Sequence, residues 1–250
     1  MRLFGIVLII FILLSSVLFA ENDQDIWLAA NTAYDNSDFQ TAIDNYLKLL
    51  ERGIRTPEIY YNLGNAYFKI DQIGLSIAAF RHSLQIDHSF EPARENLEYV
   101  RKYTVDKVEE KPRGFLLNLW YNATGFFSPQ GYFIFSLAAF WALIAMLSVF
   151  VLGFSKKELL TYLLILLAIV FMLSSVITYS VVDEELNTKW GVLTATSAEL
   201  REGPGEDFER IFTGHEGLEF KILSQRQNYY LVELRSGLKG WIRSSLLTEI

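Results

Sequence analysis

The sequence contains no cysteine, so it has no disulfide, no thiol nucleophile and no thiolate metal site. It also lacks an excess of positive charge: the net charge is −7, which argues against nucleic acid as a partner. The three histidines do not have the spacing of a zinc site, and neither a His-Glu-x-x-His nor a Gly-x-Ser-x-Gly motif occurs. We therefore expect a protein that is not an enzyme and that holds no cofactor or metal. We expect His82 on an exposed helix face and His215 in a turn.

Charged residues are also missing from two long stretches, 114–155 and 159–182. Because ~20 apolar residues in a helix cross a hydrocarbon core of ~30 Å, we predict transmembrane helices over 131–154 and 159–182. A tight loop that carries Lys156, Lys157 and Glu158 joins them. Such a hairpin returns the chain to the side from which it came. The spans contain no Asp, Glu, Lys, Arg or His, which argues against a channel or pump.

The N-terminus predicts which side this is. Met1-Arg2 is a short positive start, and Leu3 to Phe19 is almost purely apolar. Residues 1–20 are therefore interpreted as a signal peptide, with an uncleaved signal anchor as the alternative because Leu18 occupies a position that prefers a small residue. In both cases residue 21 onward is exported. We predict a two-span protein of the bacterial inner (cytoplasmic) membrane with both soluble domains periplasmic, that is, extracytoplasmic.

Residues 57–90 have the periodicity of a helical hairpin, with apolar residues and glycine at helical spacing. The stripe consists of Tyr60, Leu63, Gly64 and Tyr67, followed by Ile77, Phe80 and Leu84. Asp71-Gln72 marks the turn, and Gly64 is expected to let the second helix approach closely. The stretch Glu58 to Lys69 resembles the tetratricopeptide repeat, although the resemblance departs at Ser76, where that repeat usually has alanine.

A weaker copy precedes this hairpin, and a further helix follows it. The copy is marked by Asn31, Tyr34, Ala42 and Tyr46, and the later helix runs from Pro92 to about Lys102. Residues 21–104 are thus interpreted as an all-α tetratricopeptide-repeat solenoid of two repeats plus a capping helix. Such arrays usually need about three units for stability, so a partner or self-association would add order to this one.

The resemblance implies a concave groove that binds a protein partner. Carried over position by position, it assigns partner binding to Tyr61, Asn65, Phe68, Lys69, Glu95 and Tyr99. The alternative interpretation is that these are ordinary solvated residues of the repeat. Residues 105–130 are expected to form a charged linker and an interfacial aromatic segment before the first span.

Residues 187–250 contain about five short β-prone segments separated by turn residues, which predicts a small all-β barrel. The region resembles the bacterial SH3-like domain through three motifs: Leu200 to Gly205, His215-Glu216-Gly217 and Gly240-Trp241-Ile242. Relatives of that domain often bind cell-wall peptides or proline-rich segments through aromatic side chains. The candidates here are Tyr229, Tyr230 and Trp241.

The order signal, repeats, two spans and SH3-like barrel resembles the BatE-like proteins of the Bat (Bacteroides aerotolerance) group. The resemblance implies a multidomain membrane protein with a role in aerotolerance or envelope stress. Its implied partners are membrane proteins that carry von Willebrand factor A domains. The first hypothesis is therefore a non-enzymatic scaffold that assembles a membrane complex. The second is a peptidoglycan-binding or peptidoglycan-sensing protein that acts through its barrel.

Overall fold

The structure is a computed structural model that describes residues 23–107, 129–152 and 157–250. The predicted signal peptide, most of the predicted 105–130 linker and part of the loop between the spans lie outside the described residues. The chain forms two compact units. One combines the chain up to Glu109 with Trp190–Ile250, and the other is Glu110–Lys189. The first helices and the C-terminal sheet therefore belong to one unit, although the apolar helices separate them in sequence.

The helical module (residues 23–107) contains five α-helices and one 3₁₀ turn. They are α1 (23–35), α2 (Phe39–Glu51), α3 (Pro57–Lys69), α4 (Ile73–Ile86), α5 (Glu91–Val100) and the 3₁₀ turn Arg101–Tyr103. Side-chain caps begin two of the helices: Asp38 accepts from the Thr41 amide at 3.3 Å, and Thr56 accepts from the Ile59 amide at 3.4 Å. Asp71 turns the chain between α3 and α4 with a φ of 64°.

The close approach of α3 and α4 depends on Gly64. A Cβ atom at this position would lie 2.8 Å from the ring of Phe80. The fully buried Ser76 donates its hydroxyl to the Gly64 carbonyl at 2.8 Å, which explains why a serine is accommodated here. The helical hairpin predicted over 57–90 is confirmed. That it belongs to the tetratricopeptide family stays a prediction.

The first hairpin, formed by α1 and α2, packs around Tyr46. The centroid of the Tyr46 ring lies 5.8 Å from that of Trp27, and the Tyr46 hydroxyl donates to the Asn31 side chain at 2.7 Å. The same Asn31 oxygen accepts from Asn62 of α3 at 3.2 Å, so one amide links three helices. Burial raises the pKa of Tyr46 to about 12, which keeps the hydroxyl protonated as a donor.

The expectation for His82 was wrong. Its ring is half-buried against Tyr60 at 5.1 Å, because Tyr60 of α3 faces α4. Burial, in turn, lowers the pKa of His82.

The second unit contains two long apolar helices, α6 (Pro129–Val151) and α7 (Lys157–Asn187). Within them, Gly131–Val151 and Glu158–Asp183 are long and apolar enough to cross a membrane. The helices contact each other through the hydroxyls of Ser136 and Ser175, 3.1 Å apart. Most of their apolar surface is uncovered, as at Trp141 (60% exposed) and Leu166 (57% exposed). An exposed apolar surface of this kind fits a membrane-anchored protein.

Seven strands form the sheet module, where about five were expected. They are β1 (Lys189–Leu193), β2 (Ser197–Arg201), β3 (Arg210–His215), β4 (Glu219–Arg226), β5 (Tyr229–Leu234), β6 (Lys239–Arg243) and β7 (Leu247–Glu249). The strand order is β3-β2-β6-β5-β4-β1-β7. Leu200, Phe220, Val232 and Ile242 pack in its core. Gly217 and Gly237 turn the chain with φ values of 84° and 87°, a conformation that favours glycine.

Candidate functional site

The predicted groove residues of α3 face α5. The Tyr61 ring lies 5.6 Å from Phe90 and 5.9 Å from Phe80. Asn65 accepts a hydrogen bond from the Asn96 side chain of α5 at 2.7 Å. The structure therefore gives Tyr61 and Asn65 a role in helix packing, because the capping helix lies directly over them.

An aromatic surface lies at the end of the same face. We define the tyrosine surface as Phe68, Tyr99 and Tyr103. The Phe68 ring lies 5.8 Å from Tyr99 and 5.2 Å from Tyr103, and the two tyrosine hydroxyls are 2.6 Å apart. Tyr99 is 48% exposed and Tyr103 is 54% exposed. Two of the predicted partner-binding residues, Phe68 and Tyr99, thus form a surface together with Tyr103, which sequence reasoning missed.

The other two predicted residues of this region, Lys69 and Glu95, are exposed. Lys69 directly follows Phe68 in α3. A second cation, Lys102, lies with its ammonium 5.9 Å from the Tyr99 ring. The tyrosine surface therefore combines apolar ring area with hydroxyls, and aromatic residues of this kind are enriched at protein–protein contact surfaces.

The three aromatic candidates of the sheet module do not share a face. Leu231 pairs with Trp241, and Tyr229 pairs with Arg243, so these four side chains lie on the outer face of β5 and β6. Tyr230 points the opposite way, is buried, and donates its hydroxyl to the Glu249 carboxylate. The period of two along a strand separates neighbouring residues onto opposite faces. Tyr229 and Trp241 are thus brought together, and Tyr230 is not.

A buried carboxylate joins the helical and sheet modules. Glu219 begins β4 and its side chain is only 8% exposed. It accepts from Arg81 of α4 at 2.7 Å and from Arg101 at 2.7 and 3.0 Å, and Arg235 of β5 lies 3.5 Å away. Burial alone would raise the pKa of Glu219, but hydrogen bonds from Arg101 and the charges of all three guanidinium groups outweigh it and hold the pKa at about 2. Glu219 is therefore ionised at physiological pH.

The turn after β3 makes the second set of contacts between the modules. The Glu216 carboxylate accepts from the Gly74 amide, at the start of α4, at 2.8 Å. The backbone amide of His215 donates to Asp106 at 2.5 Å, and its ring nitrogen lies 3.0 Å from the other oxygen of the same carboxylate. His215 thus ends β3 beside the predicted turn. We call these contacts, together with those of Glu219, the inter-module interface.

Apolar contacts complete the inter-module interface. Val192 of β1 is fully buried in a cluster with Ile73, Ile77 and Val100 of the helical module. The Arg81 guanidinium lies 5.0 Å from the ring of Trp190, a cation–π contact across the interface. The two modules therefore share a hydrophobic core as well as buried charges.

Sequence reasoning missed this interface. Glu219 is 138 residues from Arg81 and 118 residues from Arg101, and an isolated glutamate at the start of a strand carries no local signal of burial. Glu219 alternates with Leu218 and Phe220, so it lies on the opposite face from these core residues, where the alternation predicts exposure to solvent. Within 23–107, 129–152 and 157–250, no group of three His, Asp or Glu side chains is arranged to hold a metal ion.

Comparison with known protein families supports part of the sequence prediction. Residues 196–248 match the family model described as the bacterial SH3 domain. The match covers β2 to β7 and includes all three motifs on which the resemblance was based. An SH3-like domain at the C-terminal end of the chain is thereby confirmed. None of the curated proteins compared matches the chain.

Proposed function

We propose that this protein is a non-enzymatic, membrane-anchored adaptor whose helical module binds a protein partner through the tyrosine surface. The supporting observation is the exposure of Tyr99 and Tyr103 beside Phe68 on the face that the repeat resemblance assigns to partner binding. Large, rigid aromatic rings with a polar end contribute much of the binding energy at protein–protein contacts. The exposed Lys102 lies with its ammonium 5.9 Å from the Tyr99 ring.

The proposed location is the inner membrane of a bacterium, with both soluble modules on its extracytoplasmic side. Two helices that are long and apolar enough to span a membrane lie between the modules. An even number of spans returns the chain to the same side, and the buried inter-module interface supports a placement of both modules on one side. The N-terminal apolar stretch favours the extracytoplasmic side.

The finer proposal is membership of the Bat group as a BatE-like protein, with tetratricopeptide repeats in the helical module. Its support is the order of the segments: paired helices with Gly64 against Phe80, then two apolar helices, then an SH3-like domain. The partners would then be membrane proteins with von Willebrand factor A domains, and the complex would act in aerotolerance or envelope stress.

A cross-linked pull-down from membranes tests the adaptor proposal. The Tyr99→Ala/Tyr103→Ala double variant should fold but lose its membrane-protein partners, whereas Leu28→Ala, which also truncates an exposed apolar side chain of the helical module, should retain them. Two lost contacts of ~1–2 kcal/mol each would weaken binding by roughly 30- to 1,000-fold. A double variant that retains every partner, together with a Trp241→Ala variant that loses them, would assign the interaction to the sheet module.

A second candidate function is peptidoglycan binding through the SH3-like domain. The observation that favours it is the outer face of β5 and β6, where Leu231 pairs with Trp241 beside Tyr229, within the matched region. Co-sedimentation with isolated sacculi separates the two functions. Binding that Trp241→Ala abolishes and Tyr99→Ala/Tyr103→Ala leaves intact would favour this second function.

A further inference from the structure

We propose that the sheet module binds the helical module as an intramolecular ligand, so that the partner that completes the short helical array is part of its own chain. The first argument is charge. Glu219 and Arg101 lie out of bulk water only in the docked state, and a buried carboxylate is tolerated only when its partners are present. The helical module thus supplies Arg81 and Arg101, two of the three guanidinium groups that compensate the Glu219 carboxylate of the sheet module.

The second argument is shape. Gly217, with a φ of 84°, would place a Cβ atom 2.6 Å from Thr104 and 3.1 Å from Ile77 of the helical module. In the opposite direction, a Cβ atom on Gly74 of the helical module would lie 2.4 Å from the Leu193 carbonyl of the sheet module. Each module therefore has a glycine at a point where the other approaches too closely for a Cβ atom.

The third argument is the start of α4. The first amides of a helix have no carbonyl partner within that helix. Gln72, the N-cap of α4, makes no side-chain capping bond, and the Glu216 carboxylate of the sheet module accepts from the Gly74 amide instead. A negative charge at this end also interacts favourably with the helix dipole. The sheet module thus supplies a cap that α4 lacks.

These contacts have a consequence for binding. The inter-module interface occupies the side of the helical module formed by the start of α4 and the end of α5, where Ile73, Ile77 and Val100 are buried with Val192. Tyr99 and Tyr103 remain exposed. An external partner therefore meets the helical module with its sheet module already docked, and the two modules move as one body.

The test uses the full chain in detergent micelles with a site for a specific protease inserted between 108 and 113 and an affinity tag after Ile250. After cleavage, the helical fragment should remain bound to the tagged remainder of the wild-type protein. Glu219→Ala removes the carboxylate that accepts from Arg81 and Arg101 across the interface and should weaken retention at least about 100-fold. Glu199→Ala, which removes a carboxylate from ion pairs with Arg201 and Arg210 in the same sheet module, is the matched control and should not release the fragment.

A rescue experiment separates undocking from unfolding. Arg81→Glu should release the helical fragment because it places a second carboxylate against Glu219, and Arg81→Lys, which keeps a positive charge at this position, should restore part of its retention. If the cleaved wild-type protein loses its helical fragment, the docking proposal is wrong. Retention by Glu219→Ala at the wild-type level, or failure of Arg81→Lys to improve on Arg81→Glu, would equally overturn it.

Discussion

Three glycines allow a close approach between two helices or between the two modules in the soluble part of this protein. Gly64 lies under the Phe80 ring within the helical module, and Gly74 and Gly217 lie at the inter-module interface. At each position a Cβ atom would come closer than 3 Å to a neighbouring group. Packed interiors accommodate such an addition only by moving backbone or forcing side chains off their rotamers, so each glycine is required by its neighbours.

The first prediction concerns Gly64→Leu. The added side chain must displace Phe80 and the Gly64 carbonyl that accepts from Ser76, so we expect a loss of about 1–3 kcal/mol or more in the free energy of unfolding of the full-length protein. Thermal denaturation in detergent measures it. Ala29→Leu, on an exposed face of α1, is the control for adding a leucine to a helix. Equal melting temperatures for the two variants would show that the contact between α3 and α4 does not depend on Gly64.

The second prediction concerns the pH dependence contributed by Glu219. Its pKa is about 2 in the folded protein and 4.5 without the fold, so its stabilisation is fully present above pH 4.5 and is lost as the pH falls towards 2. Glu219→Gln should therefore reduce the free energy of unfolding by about 3 kcal/mol at pH 6, and the difference from wild type should shrink towards pH 2. Acid titrations of both proteins measure this difference. A difference that is independent of pH would contradict the ionic role of Glu219.

At the scale of elements, helix α3 contributes to three contacts. Leu63 and Ala66 face the core of the first hairpin, Gly64 faces α4, and Tyr61 and Asn65 face α5. The α5 helix thus covers positions that would be open if the repeat ended with α4. Only the end of α3, at Phe68 and Lys69, retains part of the open face that the repeat resemblance implies.

The third prediction separates the two kinds of groove residue. Tyr61→Ala removes ring contacts with Phe80 and Phe90 and should lower the free energy of unfolding by about 2–4 kcal/mol. Lys69→Ala truncates an exposed side chain at the end of the same helix and should change it by less than about 0.5 kcal/mol. Chemical denaturation of the full-length variants measures both values. If the Tyr61→Ala protein is as stable as the Lys69→Ala protein, Tyr61 is a residue of the open groove and not of the helix packing.

At the scale of the whole molecule, two modules that are far apart in sequence form one compact unit. The contacts that join them bury Glu219 and Val192 at the interface with the helical module. A shared core of this kind fits the predicted hairpin, in which the two apolar helices bring the chain back to the side from which it started. The architecture and the hairpin interpretation therefore support each other.

The fourth prediction tests this topology. A reporter that is active only in the periplasm, fused after Asp106 in one protein and after Ile250 in another, should be active in both. The physical reason is that two spans cannot leave the joined modules on opposite sides of the membrane. A cytoplasm-specific reporter at the same two positions is the control and should be inactive. Activity of the cytoplasmic reporter at either position would refute the hairpin.

The sequence by itself determined the local features of this protein. The 3.6-residue stripe that includes Leu63 and Gly64 predicted α3 and α4, the uncharged runs predicted α6 and α7, and the motifs around Gly217 and Trp241 predicted an SH3-like domain. These predictions succeed because periodicity, hydrophobic length and turn chemistry are properties of neighbouring residues.

Only the tertiary structure decided which of those residues meet across the fold. Glu219 pairs with Arg81 and Arg101, which are more than a hundred residues away in sequence. The α5 helix covers Tyr61, and the two-residue period of the strand places the Tyr230 side chain in the core. Burial and charge pairing depend on what packs against a residue, and that is set by contacts between distant segments. The inter-module interface therefore had no local signal, because each half becomes favourable only when the other half is present.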